Sequence, residues 1–255
     1  MHPILFEFGG FGLHTYGLLV ALAFLASLWW AGVEARAAGL DAAAMPDIAL
    51  WVFVGAVLGA RLLYVLIDLP HFLAHPLEAV MFWRGGLVYS GGAVLGAALG
   101  IWYGRRKRLP VLPWLDAIAP AVALGQGIGR LGCLSAGCCY GAPTGAPWGV
   151  TFTSPECLAE PLGVPLHPTQ LYHAAAAFGT FALLVALRGR FRTPGRRVGL
   201  YLVLFAVQRV VIEFFRADWR GDAGPLSVTQ VVALAFLAAG MYLLLRRQRT
   251  RSGHA

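Results

Sequence analysis

The chain has 255 residues, 58% of them hydrophobic and 13% charged, with a formal net charge of +8. Soluble domains carry about 25% charged residues, so the composition excludes an ordinary soluble enzyme and indicates an integral membrane protein. A basic balance can also signal a nucleic-acid partner, but the basic residues here follow apolar runs at regular intervals, which excludes that reading.

In chain order, Met1 to Thr15, with Phe6, Phe8, Phe11 and His14, reads as a short amphiphilic segment at the membrane interface, without the basic start and cleavage site of a secretory leader. His14 and Tyr16 suit interfacial anchoring or a site role. Apolar runs then predict seven spans: Tyr16 to Val33, Pro46 to Ile67, Gly86 to Trp102, Trp114 to Leu131, Gln170 to Leu187, Val198 to Phe215 and Val228 to Leu245. Each approaches the roughly 20 residues a helix needs to cross a bilayer. The expected fold is an all-α polytopic membrane protein, one membrane-embedded domain with an outer loop at about 133–169.

The second span carries Arg61, for which pairing with Asp68 is the plain expectation. In the loop from Leu69 to Arg84, His71 and His75 stand four apart without further ligands, so no metal site is expected. Ser90, Gly91 and Gly92 open the third span, where uncovered backbone N–H groups can cradle an anion. Gly92, Gly96 and Gly100 share one face, a pattern that lets helices approach closely. After the fourth span, Pro143 to Leu166 is rich in Pro, Gly and Thr and long enough for a lid. Thr169 suits the N-cap of the fifth span, which would leave His167 and Gln170 near the outer surface.

Basic residues follow every odd-numbered span: Arg36, then Arg105 to Arg108, then five arginines from Arg188 to Arg197, then four from Arg246 to Arg251. These are fourteen of the 20 basic residues, which puts that side in the cytoplasm, the N-terminus outside and the C-terminus inside. Arg61, Arg84, Arg130, Arg209, Arg216 and Arg220 remain, within spans or toward their outer ends. An arginine at such depth costs about 2.5–3.5 kcal/mol on insertion scales, so each calls for an anionic partner. Arg209, Glu213 and Arg216 recur at i, i+4 and i+7 on one helical face. Two arginines against one glutamate leave positive charge over, and Arg130 adds to it. An electropositive, water-poor pocket of this kind suits a phospholipid phosphate, which arginine forks match bidentately.

Several runs together resemble the bacterial prolipoprotein diacylglyceryl transferases: Thr15-Tyr16-Gly17, Gly59-Ala60-Arg61, Gly85-Gly86-Leu87, Ser90-Gly91-Gly92, Gly129-Arg130-Leu131-Gly132, His167-Pro168-Thr169-Gln170-Leu171-Tyr172 and Arg209-Val210-Val211-Ile212-Glu213-Phe214-Phe215-Arg216. The resemblance spans nearly the whole chain. It implies transfer of a diacylglyceryl group from phosphatidylglycerol to the lipobox cysteine of prolipoproteins in the bacterial cytoplasmic membrane, with release of glycerol phosphate and no cofactor. By motif position it implies Arg130, Arg209, Tyr16 and Glu213 as catalytic residues, and Arg61, Ser90, Gly91, Gly92, His167, Gln170 and Arg216 as substrate-binding residues. The chain departs from that family's pattern in two places. Ser90 stands where the family commonly has a histidine, and Cys133, Ala136 and Cys138 stand at its asparagine and glutamate positions.

Cys133, Cys138, Cys139 and Cys157 all fall on or beside the outer face, where disulfides persist, and are candidates for pairing in an order the sequence leaves open. Two other functions compete with the transferase. One is a membrane thiol-disulfide oxidoreductase, which would need these cysteines for activity; the other is a lipid or anion transporter, for which the internal repeats common in transporters are lacking.

Overall fold

The computed structural model describes residues 3–8, 11–82, 85–191, 193–216, 222–223 and 226–246. Arg84, Arg192, Arg220, Arg247, Arg249 and Arg251, which entered the charge argument, lie outside the described residues. Among those described, long helices occupy the positions of the apolar runs: α1 Thr15–Ala37, α2 Met45–Ile67, α4 Tyr89–Arg106, α5 Val111–Ala136, α6 Thr169–Ala186, α7 Arg196–Glu213 and α8 Val228–Leu245, with a short α3 at Leu69–Ala74. Four stretches are long and apolar enough to cross a membrane by length and composition: Thr15–Ala37, Ala42–Ile67, Val111–Ala136 and Thr169–Ala186. The chain is therefore mainly helical and suited to a membrane.

The helices are joined by three small antiparallel pairs rather than by helix alone. The N-terminal segment is a hairpin, β1 Ile4–Phe8 with β2 Phe11–His14. Its sequence signal is Gly9-Gly10 between two apolar runs, the composition of a two-residue hairpin turn. In the long loop β3 Val150–Thr151 pairs with β4 Pro165–Leu166, and β5 Asp222–Ala223 pairs with β6 Leu226–Ser227. The long loop has its own core of Phe152, Cys157, Ala159 and Leu166, against which Leu134 and Tyr140 pack.

Two compact units are distinguished, Ala35–Trp114 and the remainder, Met1–Glu34 with Leu115–Ala255. In the first, α2 and α4 pack backbone to backbone. A Cβ on Gly59 would strike the Gly91 carbonyl, and one on Gly91 would strike the Gly59 carbonyl, so neither position admits a larger residue without separating the helices. Arg61 does not pair with Asp68. Its Nε donates to the Ala79 carbonyl at 2.9 Å, Nη1 to those of Gly85 at 2.7 Å and Gly86 at 3.2 Å, and Nη2 to that of Glu78, while the guanidinium lies against the Tyr64 and Phe72 rings. Four loop carbonyls that would otherwise face an apolar environment are satisfied in this way.

In the second unit a buried ion cluster joins three segments. Glu34, 1% exposed, meets Arg197 at 2.5 Å through Oε2 and Arg188 at 2.5 Å through Oε1. Asp116 caps α7 from α5, accepting from the Gly195 N–H at 2.6 Å and the Val198 N–H at 2.8 Å. Two arginines counted toward the cytoplasmic excess are thus tied to Glu34, a pairing across more than 150 residues that no local spacing reveals. Replacing Glu34 by Ala strands the buried Arg197 charge, a change expected to cost about 3–5 kcal/mol. Arg188→Ala, which removes a half-exposed partner, is expected to cost about 1 kcal/mol or less. Denaturant unfolding of both variants in detergent measures the difference, and equal losses would contradict this account.

Candidate active site

The site is built where α5 ends. Gly137 adopts φ 72°, with its N–H on the Leu134 carbonyl at 3.2 Å and the Cys138 N–H on the Cys133 carbonyl at 3.1 Å. These paired bonds and a left-handed glycine make the Schellman stop that terminates a helix. Cys139 is itself left-handed, φ 60°, a conformation that costs a non-glycine residue about 1–2 kcal/mol.

Residues of α6 and α7 hold this turn. The Gln170 amide donates to the Cys138 carbonyl at 2.8 Å, the Thr169 hydroxyl to the Cys139 carbonyl at 2.6 Å, and Arg216 Nη1 to the same carbonyl at 3.3 Å. Both α6 residues depart from expectation. Pro168 occupies the N-cap and makes no side-chain cap, so the Thr169 hydroxyl is available to reach across to the turn. Gln170 is fully buried rather than near the surface.

One turn further along α6, His173 is buried and its Nε2 lies 3.3 Å from Arg209 Nη1. An arginine N–H can only donate, so Nε2 accepts and the ring proton sits on Nδ1. Arg209 is also 3.6 Å from Glu213 through Nη2 and Oε2, the pairing expected at i, i+4. Arg130, Arg209 and Arg216 all lie within electrostatic reach of the His173 ring. Arg130 also acts on Tyr16, whose ring lies over Gly132, and on Cys139. Among the described residues Arg130 makes no hydrogen bond or ion pair. Among the described residues, the guanidinium groups of Arg130 on α5, Arg209 on α7 and Arg216 just beyond α7 thus converge around the Glu213 carboxylate and a neutral imidazole, and Arg130 leaves positive charge for an anion.

The convergence agrees with what the chain is similar to. The family model described as prolipoprotein diacylglyceryl transferase matches residues 3–246. The chain is 34% identical to the phosphatidylglycerol–prolipoprotein diacylglyceryl transferase of Clostridium tetani, over 95% of this chain and 96% of that protein. It is 33% identical to the enzyme of that name from Geobacter sulfurreducens, over 98% and 97% of the two chains, and 30% identical to the second such transferase of Clostridium perfringens, over 95% and 94%. The chain belongs to the prolipoprotein diacylglyceryl transferase family.

Within this family member, Tyr16, Arg130, Gln170, Arg209, Glu213 and Arg216 are brought into one region of one unit. Arg61, Ser90, Gly91 and Gly92 belong to the other unit. There Arg61 serves the loop, and the two glycines meet α2, Gly91 at Gly59 and Gly92 at Ala56. His167 stands at the edge of the site, its Nδ1 3.0 Å from the Tyr172 hydroxyl, which also accepts from Trp148 Nε1 at 2.8 Å. These residues and Phe215 line a cavity of about 690 Å³ along α6 and α7, together with Leu183, Leu204 and Val211. On α7 the cavity residues Gln208, Val211 and Ile212 lie on a different side of the helix from Arg209 and Glu213. The cavity is therefore apolar surface beside the charged cluster.

Sequence reasoning did not single out His173 or the Thr169 hydroxyl. Their signal was the register of α6: Thr169, Gln170 and His173 fall at i, i+1 and i+4, one side of the helix, and that side carries polar groups in an otherwise apolar span. All four cysteines are reduced thiols in the structure. Cys133, Cys138 and Cys139 gather together, whereas Cys157 is buried in the loop core, so a pairing with Cys157 is not formed here. Hydrogen bonds from Cys133 and Cys138, helped by the Arg130 and Arg216 charges, push the Cys139 thiol well below its ordinary range, while Cys138, sharing its proton with Cys133 and Cys139, is pushed well above. A lowered value means that thiolate persists to lower pH. In reduced, chelator-treated protein at pH 7, iodoacetamide is expected to label Cys139 before Cys138. In the Arg216→Gln variant, labelling of Cys139 should need higher pH. Peptide mass spectrometry reads the order, and preferential labelling of Cys138 would refute it.

Proposed function

We propose that this protein transfers the diacylglyceryl group of phosphatidylglycerol to the lipobox cysteine thiol of prolipoproteins, releasing glycerol phosphate at the outer half of the bacterial cytoplasmic membrane. The observation that carries the reading is the surplus of guanidinium charge around His173, in a chain matched by the family model from residue 3 to 246. Head-group phosphate is the anion such a site fits, since arginine forks meet two of its oxygens at once.

In this reading Arg130 and Arg209 bind the phosphodiester. As the carbon–oxygen bond to phosphate breaks, the leaving glycerol phosphate gains charge, and the arginines hold that charge more strongly than the ground state. Glu213 and His173 position Arg209 from two sides, and Arg216 keeps the Cys139 turn in place. Tyr16, half-exposed beside Arg130, contacts the reacting region. Ser90, Gly91, Gly92, His167 and Gln170 support substrate binding, Gln170 by holding the Cys138 carbonyl. The apolar cavity between α6 and α7 offers acyl chains a surface next to the charged head-group site. Seven crossings, with the N-terminus outside and the C-terminus in the cytoplasm, place this site toward the outer leaflet.

Purified protein supplied with phosphatidylglycerol and a lipobox peptide is expected to release glycerol phosphate and lipidate the peptide. Arg130→Ala and Arg209→Ala should each lower the rate by about a hundred- to a thousandfold, the usual effect of removing a group that stabilises transition-state charge. Undiminished release by both variants would exclude this mechanism. For orientation, alkaline phosphatase fused to the C-terminus should be inactive in cells and a fluorescent protein fused there should fluoresce. The opposite pair of outcomes reverses the topology.

A further inference from the structure

We propose that Cys133, Cys138 and Cys139 form a three-thiolate site for a divalent cation of the zinc type, whose fourth position takes the acceptor cysteine thiol; this second part rests on the transferase reading above. The sequence alone suggested disulfides and no metal. The geometry favours a shared centre. The three Sγ atoms lie within 4.8 Å of one another, and tetrahedral zinc with sulfur at about 2.3 Å needs sulfurs about 3.8 Å apart, a modest closing of the cluster.

Backbone geometry accounts for the clustering. A Schellman stop brings the residue three before the cap next to the residue two beyond it, here Cys133 and Cys138. Adjacent residues ordinarily point apart, and the left-handed conformation at Cys139 is what brings the third thiol to the same place. That strained residue is held by donors from Thr169 and Arg216 on its carbonyl, with Gln170 on the carbonyl before it. The carbonyls of the turn are engaged by Thr169, Gln170 and Arg216, while the three thiols face one another. Such outer-layer hydrogen bonds are what orients metal ligands in established sites.

Charge and ligand number point the same way. Three thiolates and a dication leave one negative charge, and Arg130 and Arg216 lie within electrostatic reach of the cluster. Cys157 belongs to the loop core and not to the cluster. Zinc with three protein ligands keeps an open position, the arrangement of catalytic rather than structural zinc. A thiol entering that position is deprotonated by the cation, its proton passing to water. The bound sulfur then attacks the methylene carbon of the diacylglyceryl group. A carbon–sulfur bond forms, the carbon–oxygen bond to phosphate breaks, and the electron pair leaves with glycerol phosphate. The thioether product is neutral and a weaker ligand, so it is released.

The test uses the full chain in detergent, purified under reducing conditions. Elemental analysis should find about one zinc per chain. After chelation, titration with cobalt should give a thiolate-to-cobalt charge-transfer band that saturates near one equivalent. Cys133→Ser and Cys139→Ser should each abolish the band while keeping the wild-type gel-filtration profile, and Cys157→Ser should retain it. Chelated protein should lose at least tenfold in transfer rate and regain it with zinc. Cobalt binding unchanged in Cys133→Ser and Cys139→Ser, or a Cys133 disulfide to Cys138 or Cys139 in the purified protein, overturns the site. Full transfer by metal-free protein overturns the metal's role and leaves the transferase reading standing. A thiolate-bound metal with no glycerol phosphate released from phosphatidylglycerol overturns that reading and the acceptor part with it, while the metal site stands.

Discussion

Three arginines in an apolar setting, with one carboxylate among them, constrain everything around the site. Each guanidinium must be met by acceptors or be left facing something anionic. Arg209 is met by Glu213 and by the lone pair of His173, and Arg216 reaches the Cys139 carbonyl. These partners are themselves fixed: Glu213 by its place on the same helix, His173 by the register of α6, and the carbonyl by the left-handed turn after α5. The site is thus a set of mutual restraints among α5, α6 and α7, in which a neutral histidine orients an arginine without cancelling its charge.

The same unit solves the opposite problem at the other ends of these helices. Glu34 and Asp116 neutralise or cap what lies there: Glu34 binds Arg188 and Arg197, and Asp116 binds the first N–H groups of α7. Acidic residues are scarce in the chain, twelve against twenty basic ones. Spending two of them away from the site leaves Glu213 as the carboxylate seen to pair with its arginines. Glu34 thus meets two arginines at one end, whereas at the other, among the described residues, Arg130 makes no hydrogen bond or ion pair with its side chain.

Helix positions were legible in the sequence because apolar runs of membrane length have few alternatives: the runs from Tyr16, Pro46 and Trp114 lie within α1, α2 and α5, and the run from Gln170 overruns α6 by one residue. The end of α5 was placed five residues early, at Leu131, because hydropathy falls at Arg130 while the helix runs on to Ala136 and stops at the left-handed Gly137. The face shared by Arg209 and Glu213 was legible because 3.6-residue periodicity is local, whereas α7 ends at Glu213 and leaves Arg216 three residues beyond it. Partners distant in sequence were not. Nothing near Glu34 announces Arg197, and nothing near Thr169 announces that its hydroxyl will serve Cys139 rather than cap its own helix. Arg61 was misread in the same way. Asp68 was the expected partner as a nearby carboxylate, but the carbonyls of Glu78, Ala79, Gly85 and Gly86 need donors, and a guanidinium can satisfy all four at once.

The two sides of α6 and α7 explain how one helix pair can serve a lipid with a charged head and apolar tails. Thr169, Gln170 and His173 on α6, with Arg209 and Glu213 on α7 and Arg216 just beyond it, make a polar side, and Tyr172, Leu183, Val211 and Phe215 line the cavity on another. In an α-helix neighbouring residues are rotated by about 100°, so alternation between these sets is obtained by choice of residue at adjacent positions, as in Gln208 and Arg209. A phospholipid straddling such a pair would keep its phosphate among the arginines and its chains in the apolar cavity.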